Sequence, residues 1–169
     1  MAGDNSGELW YPTVADVITI HDDILNEYPD TEPGIRNRED IAFALEFIQE
    51  GHFGERPWTI HKKAYHLLRL LTANHPFVDG NKRTALDTTA TFYFFNGYDF
   101  RFDDEVREIL QQFASDVSAV EQTDVVDHLE ATTEPIDVEK IVQQWRDGLI
   151  ETGVEKFDEF SEDANGEEG

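Results

Sequence analysis

Residues 75–86 read HPFVDGNKRTAL, and this short stretch gathers a histidine, a carboxylate, a glycine, an amide and two adjacent cations. Pro76 stops one helix and a second begins near Asn81, so the backbone N–H groups of Gly80, Asn81 and Lys82 are expected to point outward at its positive end. Unpaired donors and a helix dipole together suit a phosphate group, and Gly80 lets an anion approach the backbone closely. Asp79, just before the helix, is placed to hold a divalent cation beside that phosphate. Lys82 and Arg83 in the first helical turn oppose the dipole, a cost that a bound polyphosphate reverses. His75 can serve as general base toward a hydroxyl, the role histidine side chains commonly take, while Phe77 is the apolar anchor of the loop.

Helices must hold such a loop, and the apolar spacing supplies them. Val14, Val17, Ile18, His21, Ile24, Leu25 and Tyr28 recur at helical period behind a Thr13 cap, and Pro29 closes the segment. His21 on that stripe is expected to be a satisfied core histidine and not a site residue. Asn37 caps a second helix carrying Ile41, Ala44, Leu45 and Ile48, ended by Gly51. Residues 51–58, GHFGERPW, read as a loop or small hairpin, with Trp58 as a lid over the core. Thr59 caps a third helix with Ile60, Ala64, Leu67, Leu68 and Leu71 on one face and Lys62, His66 and Arg69 on a surface face.

The segment from Asn81 to Asn96 is apolar nearly all round, so it is expected at the centre of the domain with Phe92–Phe95 in the core and Gly97 as its left-handed stop. Asp103 caps a helix bearing Val106, Ile109, Leu110, Phe113, Val117 and Val120; shorter apolar patterns follow at Val125–Leu129 and Val138–Leu149. About seven helices and no strand beyond the 51–58 loop give an all-α class. The expected division is an N-terminal extension over 1–12, one domain over 13–150 and an acidic, flexible tail over 151–169, where Phe157 and Phe160 are the apolar exceptions.

With 37 acidic and 13 basic residues the formal charge is -24, spread along every segment. That balance opposes nucleic acid and anionic membrane as partners, and fits a protein kept soluble at very high salt, as in a halophilic cytoplasm. Cysteine is absent, which excludes disulfides and thiolate metal sites. The start MAGDNSGELW has no basic-then-apolar pattern, so a cytoplasmic location is expected.

The run from His75 through Leu86 resembles the signature of the Fic/Doc (Fido) superfamily, and specifically its death-on-curing (Doc) toxin branch. Ile20-His21-Asp22 and Pro33-Gly34-Ile35-Arg36 resemble the N-terminal half of that branch, so the likeness spans roughly residues 14–122. It implies a Fic/Doc-like helical bundle with a central buried helix and a short flap loop, here 51–58, that docks the target. Fic enzymes move AMP from ATP to a protein hydroxyl and read HPFxxGNGRxxR; here Lys82 replaces the second glycine and Leu86 the last arginine, which is the Doc pattern.

The Doc resemblance implies a toxin of a toxin–antitoxin pair that uses ATP and Mg2+ and transfers the γ-phosphate to a threonine or serine hydroxyl of a target protein, in that branch the translation elongation factor Tu. By position, His75 would be the catalytic base, Asp79 the Mg2+ ligand, and Gly80, Asn81, Lys82 and Arg83 the ATP-binding residues. The internal [S/T]xxxE[G/N] motif of self-inhibited Fic proteins does not occur in the sequence, so control would fall to a separate antitoxin protein. Two alternatives remain at this stage, a Fic-type AMP-transferase and a catalytically idle module that binds nucleotide or protein.

Overall fold

The computed structural model describes residues 8–52, 54, 56–57 and 59–166, with only the backbone of 156–166. Trp58 and the side chains of Phe157 and Phe160 lie outside the described residues. Contacts divide the chain into two units, residues 1–135 and 136–169.

In the first unit the helices are α1 (Val14–Glu27), α2 (Arg38–Glu50), α3 (Ile60–Ala73), α4 (Asn81–Phe95), α5 (Asp104–Ser115) and α6 (Gln122–Ala131). The caps sit where side-chain chemistry places them. Thr13 forms a reciprocal capping box with Asp16, Asn37 accepts from Glu39, Thr59 from Lys62 and Asp103 from Val106. Each such cap stabilises its helix by about 1 kcal/mol. The Asp103 helix, expected to run on through Val117 and Val120, stops as α5 at Ser115: Asp116 is extended and its side chain accepts from the Ser118 N–H, which starts a separate 3-10 turn, Val117–Ala119, before α6.

The core forms around α3 and α4. Ala64, Leu67, Leu68 and Leu71 of α3 are buried with Ala85, Phe92 and Tyr93 of α4, and Ile41, Leu45 and Ile48 of α2 close one side. Lys63 is buried too; its ammonium group donates to the carbonyl of Ile48 near the end of α2, where helix carbonyls lack internal partners. The all-α expectation holds, with two further differences. Tyr98–Phe100 (β1) pairs antiparallel with Thr133–Pro135 (β2), a small sheet that ties the chain after α4 to the chain after α6.

The second difference concerns α4. Phe92 and Tyr93 are buried, but Phe94 and Phe95 are 43% and 60% exposed, so the aromatic run is core for only half its length. Apolar composition on every face hid this. Phe95 lies instead beside Trp10, ring centroids 4.7 Å apart, and Asn96 clamps the backbone of Trp10 through two hydrogen bonds of 2.9 Å.

The second unit holds α7, Val138–Gly166, whose residues Val142, Trp145 and Leu149 are exposed. The boundary expected after residue 150 meets helix there, since α7 continues through it. Among the described residues no helix is long and apolar enough to cross a membrane.

Candidate functional site

The loop between α3 and α4 is fixed from three sides. Phe77 is 1% exposed and its ring stacks on that of His21 from α1, centroids 3.8 Å apart and planes within 5°. The His21 ring donates its Nε2–H to the carbonyl oxygen of Asp79 at 2.8 Å, so this core histidine is satisfied by the site loop itself. Asn81 is also buried; its amide accepts from the Phe77 N–H at 2.9 Å and donates to the Phe77 carbonyl at 3.0 Å. That side chain therefore shapes the loop, which leaves its backbone N–H as the group that can meet a ligand.

The third side is the segment after α1. Arg36 and Asn37 donate their N–H groups to the Pro76 carbonyl at 2.7 and 3.1 Å, and Val78 donates to Gly34 at 3.0 Å. So restrained, the backbone holds His75 at φ 47°, a left-handed conformation that a side-chain-bearing residue adopts rarely. His75 is exposed and faces the cleft described below.

Asp79 is exposed, and its two oxygens accept N–H groups from Glu32 at 3.1 Å and Gly80 at 2.8 Å. These backbone bonds hold its carboxyl below the usual carboxylate range, so it carries full charge at neutral pH. Because the Gly80 N–H is taken by Asp79, the contribution of Gly80 is conformational: φ is 77°, and a Cβ there would come within 3.2 Å of Thr31 Cγ2. Gly80 N-caps α4 with no side-chain hydrogen bond, and the first intrahelical bond is Thr84 N–H to Gly80. The N–H groups of Asn81, Lys82 and Arg83 thus begin the helix without a helical acceptor.

Lys82 and Arg83 are exposed, and the Arg83 guanidinium lies 3.5 Å from the centroid of the Tyr28 ring. Asp87, one turn further along α4, is half-buried; burial raises its carboxyl, Arg83 opposes that rise and Glu27 adds to it.

All six sequence candidates, His75, Asp79, Gly80, Asn81, Lys82 and Arg83, line one cleft of ≈ 740 Å³. That volume lies in the range of small-molecule sites and accommodates a nucleotide. The facing wall comes from Phe102, just ahead of α5 and its Asp103 cap, and from Arg107, Leu110 and Gln111 of α5. Sequence reading missed Tyr28, Glu27, Asp87 and Arg107 as cleft residues. The only signal for Arg107 was its place off the buried stripe Val106, Leu110 and Phe113, as a lone cation on an acidic helix.

The donor chemistry suits magnesium. Asp79 offers an exposed, ionised carboxylate beside a helix N-terminus with free N–H groups, and magnesium commonly takes one or two carboxylates together with phosphate oxygens and water. A separate group, Asp103, Glu105 and His128, could also surround an ion, but it does not line the cleft. Both ring nitrogens of His128 already face carboxylates, at 2.9 Å from Asp103 and 3.3 Å from Glu105, so the group pins the start of α5 to α6.

The fold is the helical bundle of the Fic/Doc type, with the buried α4 at its centre and the candidate loop at the N-terminus of that helix. Residues 11–93 match the family model described as Fic/DOC family, a span that runs from just before α1 to Tyr93 in α4 and includes the whole loop. That match makes the chain similar to the Fic/DOC family, whose members are typically transferases that act on proteins and use ATP with Mg2+. No curated protein matches the chain.

Proposed function

We propose that the protein is a Doc-like toxin that moves the γ-phosphate of ATP to a threonine or serine hydroxyl of a target protein. The observation that carries this reading is the convergence of His75, Asp79, Lys82, Arg83 and the free N–H groups of α4 on one nucleotide-sized cleft. The preference for phosphate over AMP rests on α4 itself. Lys82 stands in its first turn, and at the next turn Leu86, 7% exposed, presents no cation to the cleft.

In this mechanism the target hydroxyl approaches His75, whose imidazole accepts its proton as the oxygen attacks the γ-phosphorus. The bond from the γ-phosphorus to the β–γ bridging oxygen breaks and ADP leaves, while Lys82, Arg83 and the α4 N–H groups neutralise the growing charge. Magnesium, held by Asp79, would supply further charge neutralisation on the phosphate oxygens. The target we infer is a translation elongation factor, with control by a separate antitoxin protein and a cytoplasmic site of action.

Purified protein, Mg2+ and cell lysate, incubated at high salt with γ-labelled or α-labelled ATP, test this. Transfer of γ-label alone to a protein band, abolished by His75→Ala, is the expected outcome. Transfer of α-label would replace the reading with AMP transfer; no transfer of either label would favour a binding module.

A further inference from the structure

We propose that Tyr28 is the positioning residue for Arg83, holding its guanidinium edge-on to the phosphates of the cleft ligand. The proposal rests on the polyphosphate reading of the cleft given above. Its own ground is a stacking distance: the guanidinium carbon lies 3.5 Å from the Tyr28 ring centroid, and both residues line the cleft.

Tyr28 is well placed to hold a cation still. It caps the C-terminus of α1, donating its N–H to Ile24 at 2.9 Å and accepting the Thr31 N–H at 2.9 Å, so its backbone is fixed on both sides. Tyr28 is 38% exposed and stands outside the core cluster, so it can be changed without emptying a packed site.

Competing charges explain why a platform is needed. Glu27 precedes Tyr28, Asp87 lies one turn along α4 from Arg83, and both carboxylates line the same cleft. An arginine free to swing would reach for a carboxylate and be neutralised, yet Arg83 makes no ion pair within 4.0 Å among the described residues. Stacking satisfies the flat face of the guanidinium and leaves its N–H edge free, and that edge is what grips phosphate through paired hydrogen bonds. One face of the ring is thereby occupied by the guanidinium.

Calorimetry on the full chain distinguishes these roles, with Mg-ATP, inorganic tripolyphosphate and adenosine as separate probes and Tyr28→Ala, Tyr28→Phe, Arg83→Ala and the Tyr28→Ala/Arg83→Ala double variant as proteins. Tyr28→Ala should weaken both Mg-ATP and tripolyphosphate by roughly 3- to 30-fold, the span of an exposed to a desolvated cation–aromatic contact. Tyr28→Phe should bind as wild type does, and the double variant should be no weaker than Arg83→Ala, because Tyr28 acts only through Arg83. Tripolyphosphate binding unchanged in Tyr28→Ala, or losses that add in the double variant, would overturn the role of Tyr28 and leave the phosphate cleft standing. A loss confined to ATP and adenosine would make Tyr28 a base platform instead. Wild-type protein that binds neither Mg-ATP nor tripolyphosphate removes the cleft reading, and this proposal with it.

Discussion

At the scale of single residues, charge is set by local hydrogen bonding and burial, and the two act in opposite directions in this chain. Asp79 keeps its charge because backbone N–H groups bind the ionised form. His66 loses its charge because burial and the neighbouring Arg69, which donates to His66 Nδ1 at 2.9 Å, both oppose protonation and bring its pKa down to about 4. The surface face expected for His66 and Arg69 is in fact half-buried against Phe47, with the His66 and Phe47 rings 4.6 Å apart.

A histidine whose pKa is lower folded than unfolded contributes stability that is present above the unfolded value and is lost as pH falls toward the folded one. Between pH about 6.5 and 4 the unfolded chain binds the proton first, so stability declines across that window. Thermal melts at intervals through the window should show His66→Gln losing less stability than wild type as pH falls. Parallel curves for the two proteins would mean that His66 is not held neutral.

At the scale of elements, the segment between α1 and α2 acts as a brace for the loop before α4. Gly34 is its tightest point: φ is 132°, and a Cβ would meet Val78 Cγ2 at 2.8 Å. Gly34→Ala should therefore cost about 1–3 kcal/mol through backbone strain alone, read as a lower denaturant midpoint. The proposed transfer activity should fall by more than that loss of folded protein explains, since Val78 adjoins Asp79. Gly148 in α7 has open space around it, so Gly148→Ala should be neutral or stabilising. A Gly34→Ala protein with wild-type midpoint and activity would show that the brace does not hold the loop.

Much of this scale was legible in the sequence, because caps and helical period are local signals. Thr13, Asn37, Thr59 and Asp103 each cap the helix expected of them, and Gly97 takes its left-handed conformation at φ 89°. What escaped was set by distant partners. β1 and β2 are three residues each, too short to show a period of two, and their pairing joins Tyr98 to Pro135 across two helices. Tyr28 and Arg107 join the cleft only because α1 and α5 pack beside α4, and no spacing within either helix announces that. The site motif itself was legible as chemistry, but the division of labour within it was not: the Asn81 amide and the Gly80 N–H turn inward to build the loop.

At the scale of the whole molecule, the formal charge of -24 on 169 residues makes self-repulsion a property of the folded state. Cations are scarce, and three of the 13, Lys82, Arg83 and Arg107, line the cleft. Among the described residues, arginine–carboxylate pairs such as Arg101 with Asp99 at 3.0 Å and Arg107 with Asp104 at 3.0 Å are exposed, and exposed pairs contribute little. Compact packing therefore works against carboxylate repulsion that only mobile ions can relieve. At low salt, near 0.01 M, screening extends to about 30 Å and charges across the whole body repel; at about 1 M it shrinks to about 3 Å and only adjacent carboxylates interact. The melting temperature should accordingly rise steeply over that range and keep rising less steeply above it. Neutralising several exposed acids that lie outside the cleft, for example Asp104→Asn with Glu108→Gln and Glu139→Gln, should raise the low-salt melting temperature and flatten the salt dependence. A melting temperature that is flat or falls with salt would place the stability of the protein in its apolar core alone and remove the high-salt reading of its composition.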